Sequence, residues 1–199
     1  MSRGPRPAVF LDRDGTLIEE VGYLDRLERL AFFPWSVDAV RLLNHAGFLV
    51  VVVTNQAGVA RGMYEESFVG EAHQYMDETL KAGGARVEAY YYCPHHPDGS
   101  VAAYRRQCEC RKPAPGMLRQ AERELGVDLG RSFVVGDRWL DIQMAQQVGA
   151  AGILVRTGYG RTEEQRPIDG VRAAAVAENL IEAVTWILRT RDQGPRTKD

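Results

Sequence analysis

The chain has little of what would place it in a membrane, in a disulfide scaffold or on nucleic acid. No apolar stretch approaches the roughly 20 residues that span a bilayer, and the opening MSRGPRPAVF lacks the apolar centre of a signal peptide. A cytoplasmic protein is expected. Charge of neither sign dominates: 25 Lys and Arg against 27 Asp and Glu give a formal net charge of −2, which exerts no general pull toward nucleic acid or anionic lipid. Cysteine is scarce, with three in 199 residues, at positions 93, 108 and 110. An odd, clustered trio makes no disulfide framework, and a Cys108–Cys110 bridge would be strained, so metal ligation in a reducing compartment fits better. What remains is a chain with 45% hydrophobic residues, enough for one good core and too short for two large domains. The expectation is a single domain over 1–199, with its core at 8–190 and polar tails at 1–6 and 191–199. A small soluble molecule is the expected partner, and a monomer suffices.

Along the chain, apolar runs alternate with amphipathic stretches. Residues 8–11 begin as a strand, and Phe48–Thr54 (FLVVVVT) is a continuous, largely β-branched run, typical of a strand buried on both faces. Further strands are expected at Val87–Tyr92, Ser132–Gly136 and Ala151–Val155. Between them, helical patterns run from an N-capping Ser36 to Gly47, over 64–82, over Gly116–Leu125 and over Leu140–Val148, with a closing helix around Leu180–Leu188. This βα alternation predicts an α/β fold: a doubly wound, mostly parallel, Rossmann-like sheet with helices on both faces. Ligands of such sheets bind beyond the carboxyl ends of the strands. No internal repeat is present.

Three strand ends carry polar signatures. Asp12 and Asp14 follow the first, and period-two alternation points both to one side with Arg13 away, while Gly15 permits a sharp turn. Thr54, Asn55 and Gln56 follow the second; Gly136 and Asp137 follow the fourth. Taken alone, Asp-x-Asp-Gly-Thr also fits a turn with solvated acids, and Asp137 also fits a helix N-cap. Converging on one sheet edge, with Lys112 brought in by CRKPAPGM, the set suits phosphoryl transfer: neutralising charge, donors for phosphoryl oxygens and a carboxylate nucleophile. Cys93-Pro94-His95 and Cys108-Glu109-Cys110 offer three thiolates and an imidazole, the composition of a tetrahedral structural zinc site. Their one-residue internal spacing is tighter than usual, so buried or redox-active thiols are the alternative. His96 competes with its neighbour as the imidazole ligand.

Together, DRDGT (12–16), TNQAGVARG (54–62), the Cys-His-Cys-Cys segment, CRKPAPGM (110–117) and VGDRWLD (135–141) resemble the haloacid dehalogenase superfamily of aspartate-nucleophile phosphatases. Within it they resemble the branch of heptose bisphosphate and histidinol-phosphate phosphatases, over roughly residues 8–160. The resemblance implies Asp12 as nucleophile, forming an aspartyl-phosphate, and Asp14 as the general acid that protonates the leaving oxygen and then activates water. It implies Thr54 and Lys112 on the phosphoryl oxygens. It implies Mg²⁺ held by Asp12, Asp137 and the Asp14 carbonyl, and Zn²⁺ held structurally by Cys93, His95, Cys108 and Cys110. Substrate contacts by resemblance are Glu20, Val21, Gly22 and Tyr23 in a flap, Asn55, Gln56 and Arg111; the Arg111 fork suits a second, distal phosphate. Asp141 either supports the site or is a solvated helix acid.

The spans between strands leave no space for a large cap domain, and the long zinc loop resembles that of the heptose enzymes. Removal of the C7 phosphate of a heptose 1,7-bisphosphate, on the way to lipopolysaccharide or another heptose glycan, is therefore expected. A histidinol-phosphate or broader sugar-phosphate phosphatase would use the same chemical residues. A reading from another class is a zinc-stabilised nucleic-acid module using Arg105, Arg106, Arg111 and Lys112, or a nucleic-acid 3′-phosphatase; the acidic charge balance opposes it. Trp35, Trp139, Trp186, His45 and His73 are read as packing residues on helix faces.

Overall fold

The computed structural model describes residues 4–191, so most of the two expected polar tails lies outside the described residues. Six strands, β1 (Ala8–Leu11), β2 (Leu49–Asn55), β3 (Ala89–Cys93), β4 (Phe133–Gly136), β5 (Ala151–Val155) and β6 (Ala175–Ala177), form one sheet in the order β3-β2-β1-β4-β5-β6. Every pairing is parallel. The chain thus leaves β1 in one direction for β2 and β3, then returns to its other side for β4, β5 and β6. The reversal puts a crevice at the carboxyl ends of β1 and β4, the expected ligand position.

Seven α-helices are described: α1 (Ser36–His45), α2 (Ala57–Ala60), α3 (Glu66–Ala82), α4 (Gly116–Leu125), α5 (Trp139–Gln146), α6 (Gly160–Glu164) and α7 (Leu180–Arg191). Strand alternation divides the core. Val9, Leu11, Val50 and Val52 pack with Leu43, Met76, Leu80 and Val184 of α1, α3 and α7. Phe10, Val51, Val53 and Val134 face Met117, Leu118 and Ala121 of α4 and Met144 of α5. Both faces of the central strands are covered, which is why β2 reads as an unbroken apolar run.

Some boundaries differ from expectation for local reasons. Ser36 lies inside the first turn of α1, and its hydroxyl donates to the Leu17 carbonyl at 2.7 Å rather than capping. The 64–82 pattern becomes α3, with the separate short α2 ahead of it. β6 was not expected: three residues with an exposed centre carry no periodic signal. His73 and Trp139 pack on buried faces of α3 and α5. No described helix is long and apolar enough to cross a membrane. Between β1 and α1 the chain makes only a flap, in which Glu19 N–H donates to Ala31 O at 2.8 Å and Phe33 N–H to Leu17 O at 3.3 Å. No large cap domain is present among the described residues.

Candidate active site

Three carboxylates and one ammonium meet at the crevice. Asp12 follows β1, and its N–H donates to Val135 O at 2.9 Å, extending the β1–β4 ladder by one residue. Asp137 follows β4, and Asp141 sits in the first turn of α5. All three are buried, and their ligating oxygens lie within 4.8 Å of one another. Lys112 Nζ bridges two of them, 2.7 Å from Asp12 Oδ1 and 2.6 Å from Asp141 Oδ1. Burial pulls the lysine's pKa down, but the adjacent charges of Asp12 and Asp141 outweigh it and hold the ammonium protonated. Asp141 is therefore not a solvated helix acid. Nor does Asp137 cap α5: Arg138 is the cap residue, and its N–H donates to Asp141 Oδ2 at 3.3 Å.

The residues present fit a hard divalent cation. Asp137 Oδ2 accepts from Tyr159 N–H at 2.7 Å, while its other oxygen is buried with no partner. Burial, then the charges of Asp12 and Asp141, push the Asp137 pKa well above the carboxylate range. Asp12 is raised likewise by burial, against the opposing pull of Lys112. Three carboxylates against one lysine leave a formal charge of −2, and an unpaired oxygen in such a place is what a bound Mg²⁺ would satisfy. Gly15 and Gly158 close this corner: a Cβ on either would collide with the Asp137 carboxylate, and both have positive φ.

A cavity of about 420 Å³ opens from these groups. Asp12, Asp14, Glu20, Gly22, Tyr23, Thr54, Asn55, Gln56, Arg111 and Lys112, all expected at the site, line it. Val21 does not; its carbonyl accepts from Arg29 at 2.9 Å and its side chain packs against the core. Asn55 spends its amide on the backbone of Lys112, accepting at 3.0 Å and donating at 3.2 Å, and so fixes where the lysine leaves the chain. Arg13, expected to point away, instead turns inward and lines the cavity, because β1 ends at Leu11 and strand alternation ends with it. Arg61, Tyr64, His96, Arg138 and Tyr159 also line it. Sequence reasoning missed these five, although Arg61 and Arg138 lie inside quoted motifs.

The Cys3His cluster is assembled as expected. Cys108 Sγ lies 3.4 Å from Cys93 Sγ and 3.2 Å from Cys110 Sγ, and His95 Nδ1 lies 3.8 Å and 3.4 Å from the sulfurs of Cys93 and Cys110. Bonds of about 2.3 Å to a central zinc would give a tetrahedron with sulfur edges of about 3.8 Å, so the group is of metal-binding size. All three cysteines are free thiols, and no disulfide forms among them. His96 turns elsewhere: its Nδ1 accepts from Asp98 N–H at 3.1 Å and its Nε2 lies 3.3 Å from Arg61. The loop between the ligand pairs docks on α2 and α3, through Val101 N–H to Ala60 O at 2.9 Å and Tyr104 Oη to Glu66 at 2.7 Å.

A doubly wound parallel sheet with an Asp-x-Asp pair after β1, a threonine at the end of β2, and a lysine and buried acids closing the crevice defines a phosphatase of the HAD-like hydrolases. The hydrolase-like (HAD-hydrolase-like) family model matches residues 109–183. The D-glycero-beta-D-manno-heptose-1,7-bisphosphate 7-phosphatase of Yersinia pestis is 46% identical over 160 residues, covering 79% of this chain and 85% of the relative. That of Escherichia coli K12 is 44% identical over 186 residues, 92% of this chain and 89% of the relative. A crystal structure of the D,D-heptose 1,7-bisphosphate phosphatase of B. bronchiseptica, complexed with magnesium and phosphate, superposes with a TM-score of 0.82 at 34% identity, covering 92% of this chain and 99% of that one. The chain belongs to the D-glycero-beta-D-manno-heptose-1,7-bisphosphate 7-phosphatase family.

Proposed function

We propose that this chain, acting as one catalytic domain, removes the C7 phosphate of D-glycero-β-D-manno-heptose 1,7-bisphosphate in a Mg²⁺-dependent reaction. The observation that carries the reading is the placement of Lys112 Nζ 2.7 Å from Asp12 Oδ1 at the floor of the cavity. A nucleophile and a cation for the phosphoryl group it attacks meet there, in a chain whose relatives carry that name.

Asp12 attacks phosphorus in line, and the P–O bond to C7 breaks as the aspartyl-phosphate forms. Asp14, on the same turn, gives its proton to the departing C7 oxygen; as the resulting carboxylate it takes a proton from the water that attacks the aspartyl-phosphate. Inorganic phosphate leaves, and Asp12 is regenerated. Lys112 and the Thr54 hydroxyl hold phosphoryl oxygens. Asp12, Asp137 and the Asp14 carbonyl would hold Mg²⁺, which when bound neutralises phosphoryl charge. Asp141 keeps Lys112 on the Asp12 side of the cavity. Also in the lining, Arg61 and Arg111 give a cationic corner suited to the C1 phosphate, with the His96 imidazole, which burial and the two arginines hold toward its neutral form, beside Arg61; Arg111 is tied to the zinc loop through His95 O at 3.2 Å. Zn²⁺ on Cys93, His95, Cys108 and Cys110 is structural in this reading, clamping the loop that carries that corner.

The test is phosphate release with Mg²⁺, comparing kcat/KM for both anomers of the heptose bisphosphate and for histidinol phosphate, alongside Asp12→Asn. Preference for the β anomer and loss of turnover in the variant are expected. Preference for histidinol phosphate would overturn the substrate, and multiple turnovers by Asp12→Asn would overturn the nucleophile.

A further inference from the structure

We infer that buried Arg13 and Gln56, with half-buried Tyr64, form a clamp that positions the Asp14 carboxylate and ties it to the Thr54 hydroxyl. They are positioning residues for proton transfer rather than substrate contacts. The inference rests on the reading of Asp14 as the acid and base of the reaction proposed above.

Gln56 is the centre of the clamp, and its hydrogen-bonding capacity is full. A glutamine amide has two donor hydrogens and two acceptor sites. Here Nε2 donates to Asp14 Oδ2 at 3.0 Å and to Thr54 Oγ1 at 2.8 Å, while Oε1 accepts from Arg13 Nη2 at 2.9 Å and from Tyr64 Oη at 2.7 Å. Nothing remains for a ligand, and Gln56 is only 3% exposed. The orientation of the amide follows from its neighbours: a flip would set its oxygen against the Asp14 carboxylate and its NH₂ against the arginine.

Asp14 is held from two sides. The Arg13 guanidinium donates from Nε to Oδ2 and from Nη2 to Oδ1, both at 3.0 Å, and Gln56 supplies a third donor, to Oδ2. A carboxylate offers about four acceptor sites. Two donors fill Oδ2, one occupies Oδ1, and the remaining site on Oδ1 is where the transferred proton can sit. The arginine is itself immobilised, at 1% exposure. Tyr64 is braced against α2: its ring lies where a Cβ on Gly58 would be, and it meets Phe68 edge-on at 5.6 Å. A rigid support of this kind keeps a catalytic group within hydrogen-bonding reach of the reacting oxygen. One amide thereby fixes Asp14, after β1, relative to Thr54, at the end of β2.

The experiment uses leaving-group dependence. A sugar alkoxide needs a proton to depart, whereas the nitrophenolate of 4-nitrophenyl phosphate does not. Asp14→Asn is expected to lose about 100-fold or more in kcat/KM on the heptose bisphosphate, with a much smaller loss on the nitrophenyl ester, because kcat/KM reads only the steps through departure of the leaving group and not the water attack common to both esters. Tyr64→Phe, which keeps the ring and removes one donor, should reproduce that pattern at about 3- to 10-fold with KM nearly unchanged. Gln56→Glu, which cannot donate to Asp14 and Thr54, should show it more strongly, and neither change should add to Asp14→Asn in the double variants. Equal losses on both esters, a change carried by KM, or full additivity with Asp14→Asn would overturn the clamp alone. An Asp14→Asn loss independent of the leaving group would overturn the acid role of Asp14, and the clamp with it.

Discussion

Replacing Lys112 with methionine probes the charge balance on which the crevice depends. Methionine keeps an unbranched stem of similar length, so the change is chiefly the loss of an ammonium 2.7 Å from Asp12 and 2.6 Å from Asp141. The side chains of Lys112 and Asp141 are 4% and 2% exposed, so water cannot replace the lost partner. Removing one member of a buried ion pair costs about 3–5 kcal/mol, because the other charge stays buried and uncompensated. In a chain of this length that lowers Tm by roughly 6–20 °C. The deficit should be largest above neutral pH. Asp12 and Asp137 have folded-state pKa values raised above their unfolded ones, chiefly by burial. Below those values the folded protein takes up protons that the unfolded chain does not bind as well, so stability falls as pH rises through them. Acidification therefore relieves the variant. Magnesium should relieve it too, and bind more tightly: one extra negative charge about 4 Å away is worth up to about 4 kcal/mol at an effective dielectric constant of 20, and even half of that exceeds tenfold in affinity. Turnover should nevertheless fall about 100-fold or more, since the phosphoryl oxygens lose their fixed cation. The measurements are urea unfolding at pH 6 and 8 in magnesium-free buffer, calorimetric titration with Mg²⁺, and phosphate release. Undiminished stability at pH 8, or weaker Mg²⁺ binding, would refute the charge argument.

Two other perturbations separate structure from chemistry. Stripping zinc with a selective chelator should open the 94–109 loop to proteolysis and raise KM for the bisphosphate by misplacing Arg111, with recovery on adding zinc back; full activity in protein verified as zinc-free would contradict a structural clip. His73 is buried against Tyr90, 4.9 Å between ring centroids, and burial, reinforced by Arg13, pushes its pKa down to about 3. The unfolded chain binds this proton near pH 6.5 and the folded protein does not, so the wild type should lose up to about 5 kcal/mol as pH falls from 6.5 toward 3. His73→Phe, which keeps the stacking, should lose correspondingly less over the same window in urea titrations, and parallel pH profiles would sink the assignment.

What the sequence made legible were features set by local chemistry. The apolar run of β2 announces a strand covered on both faces, and the polar residues after β1, β2 and β4 meet because parallel strands end along one edge. Three clustered cysteines beside two histidines suggest a metal site in the sequence, but the choice of His95 over His96 comes from the family resemblance, and the fold groups His95 with the three sulfurs. The direction of Arg13 was not legible, because it depends on where β1 stops, and the strand ends at Leu11 with the pairing to β2 and β4. Gln56 sits among expected substrate contacts, yet two of the four hydrogen bonds that saturate its amide run to Arg13 and Asp14, more than 40 positions away in sequence. No pattern within a window of residues contains that information.

Asp141 shows why the fold and the site cannot be read as separate layers. One of its oxygens accepts the Arg138 N–H at the start of α5, and the other takes the Lys112 ammonium, which also holds Asp12. The start of a helix and the charge balance of the crevice thus share one carboxylate. Gly136 follows from the same arrangement, since a Cβ there would strike the Asp141 side chain. The acidic edge presents the same groups to any phosphomonoester, so in the proposed reaction it supplies the chemistry without choosing the sugar. Choice falls to the walls, and both are anchored at their bases: the flap by the Ser36 hydroxyl on Leu17 O, the zinc loop by Val101 on Ala60 and Tyr104 on Glu66. With no large cap domain among the described residues to close over the substrate, the proposed reaction leaves discrimination to two loops tied to helices α1, α2 and α3, and a metal held by Cys93, His95, Cys108 and Cys110 would let the second of them keep its shape without a core of its own.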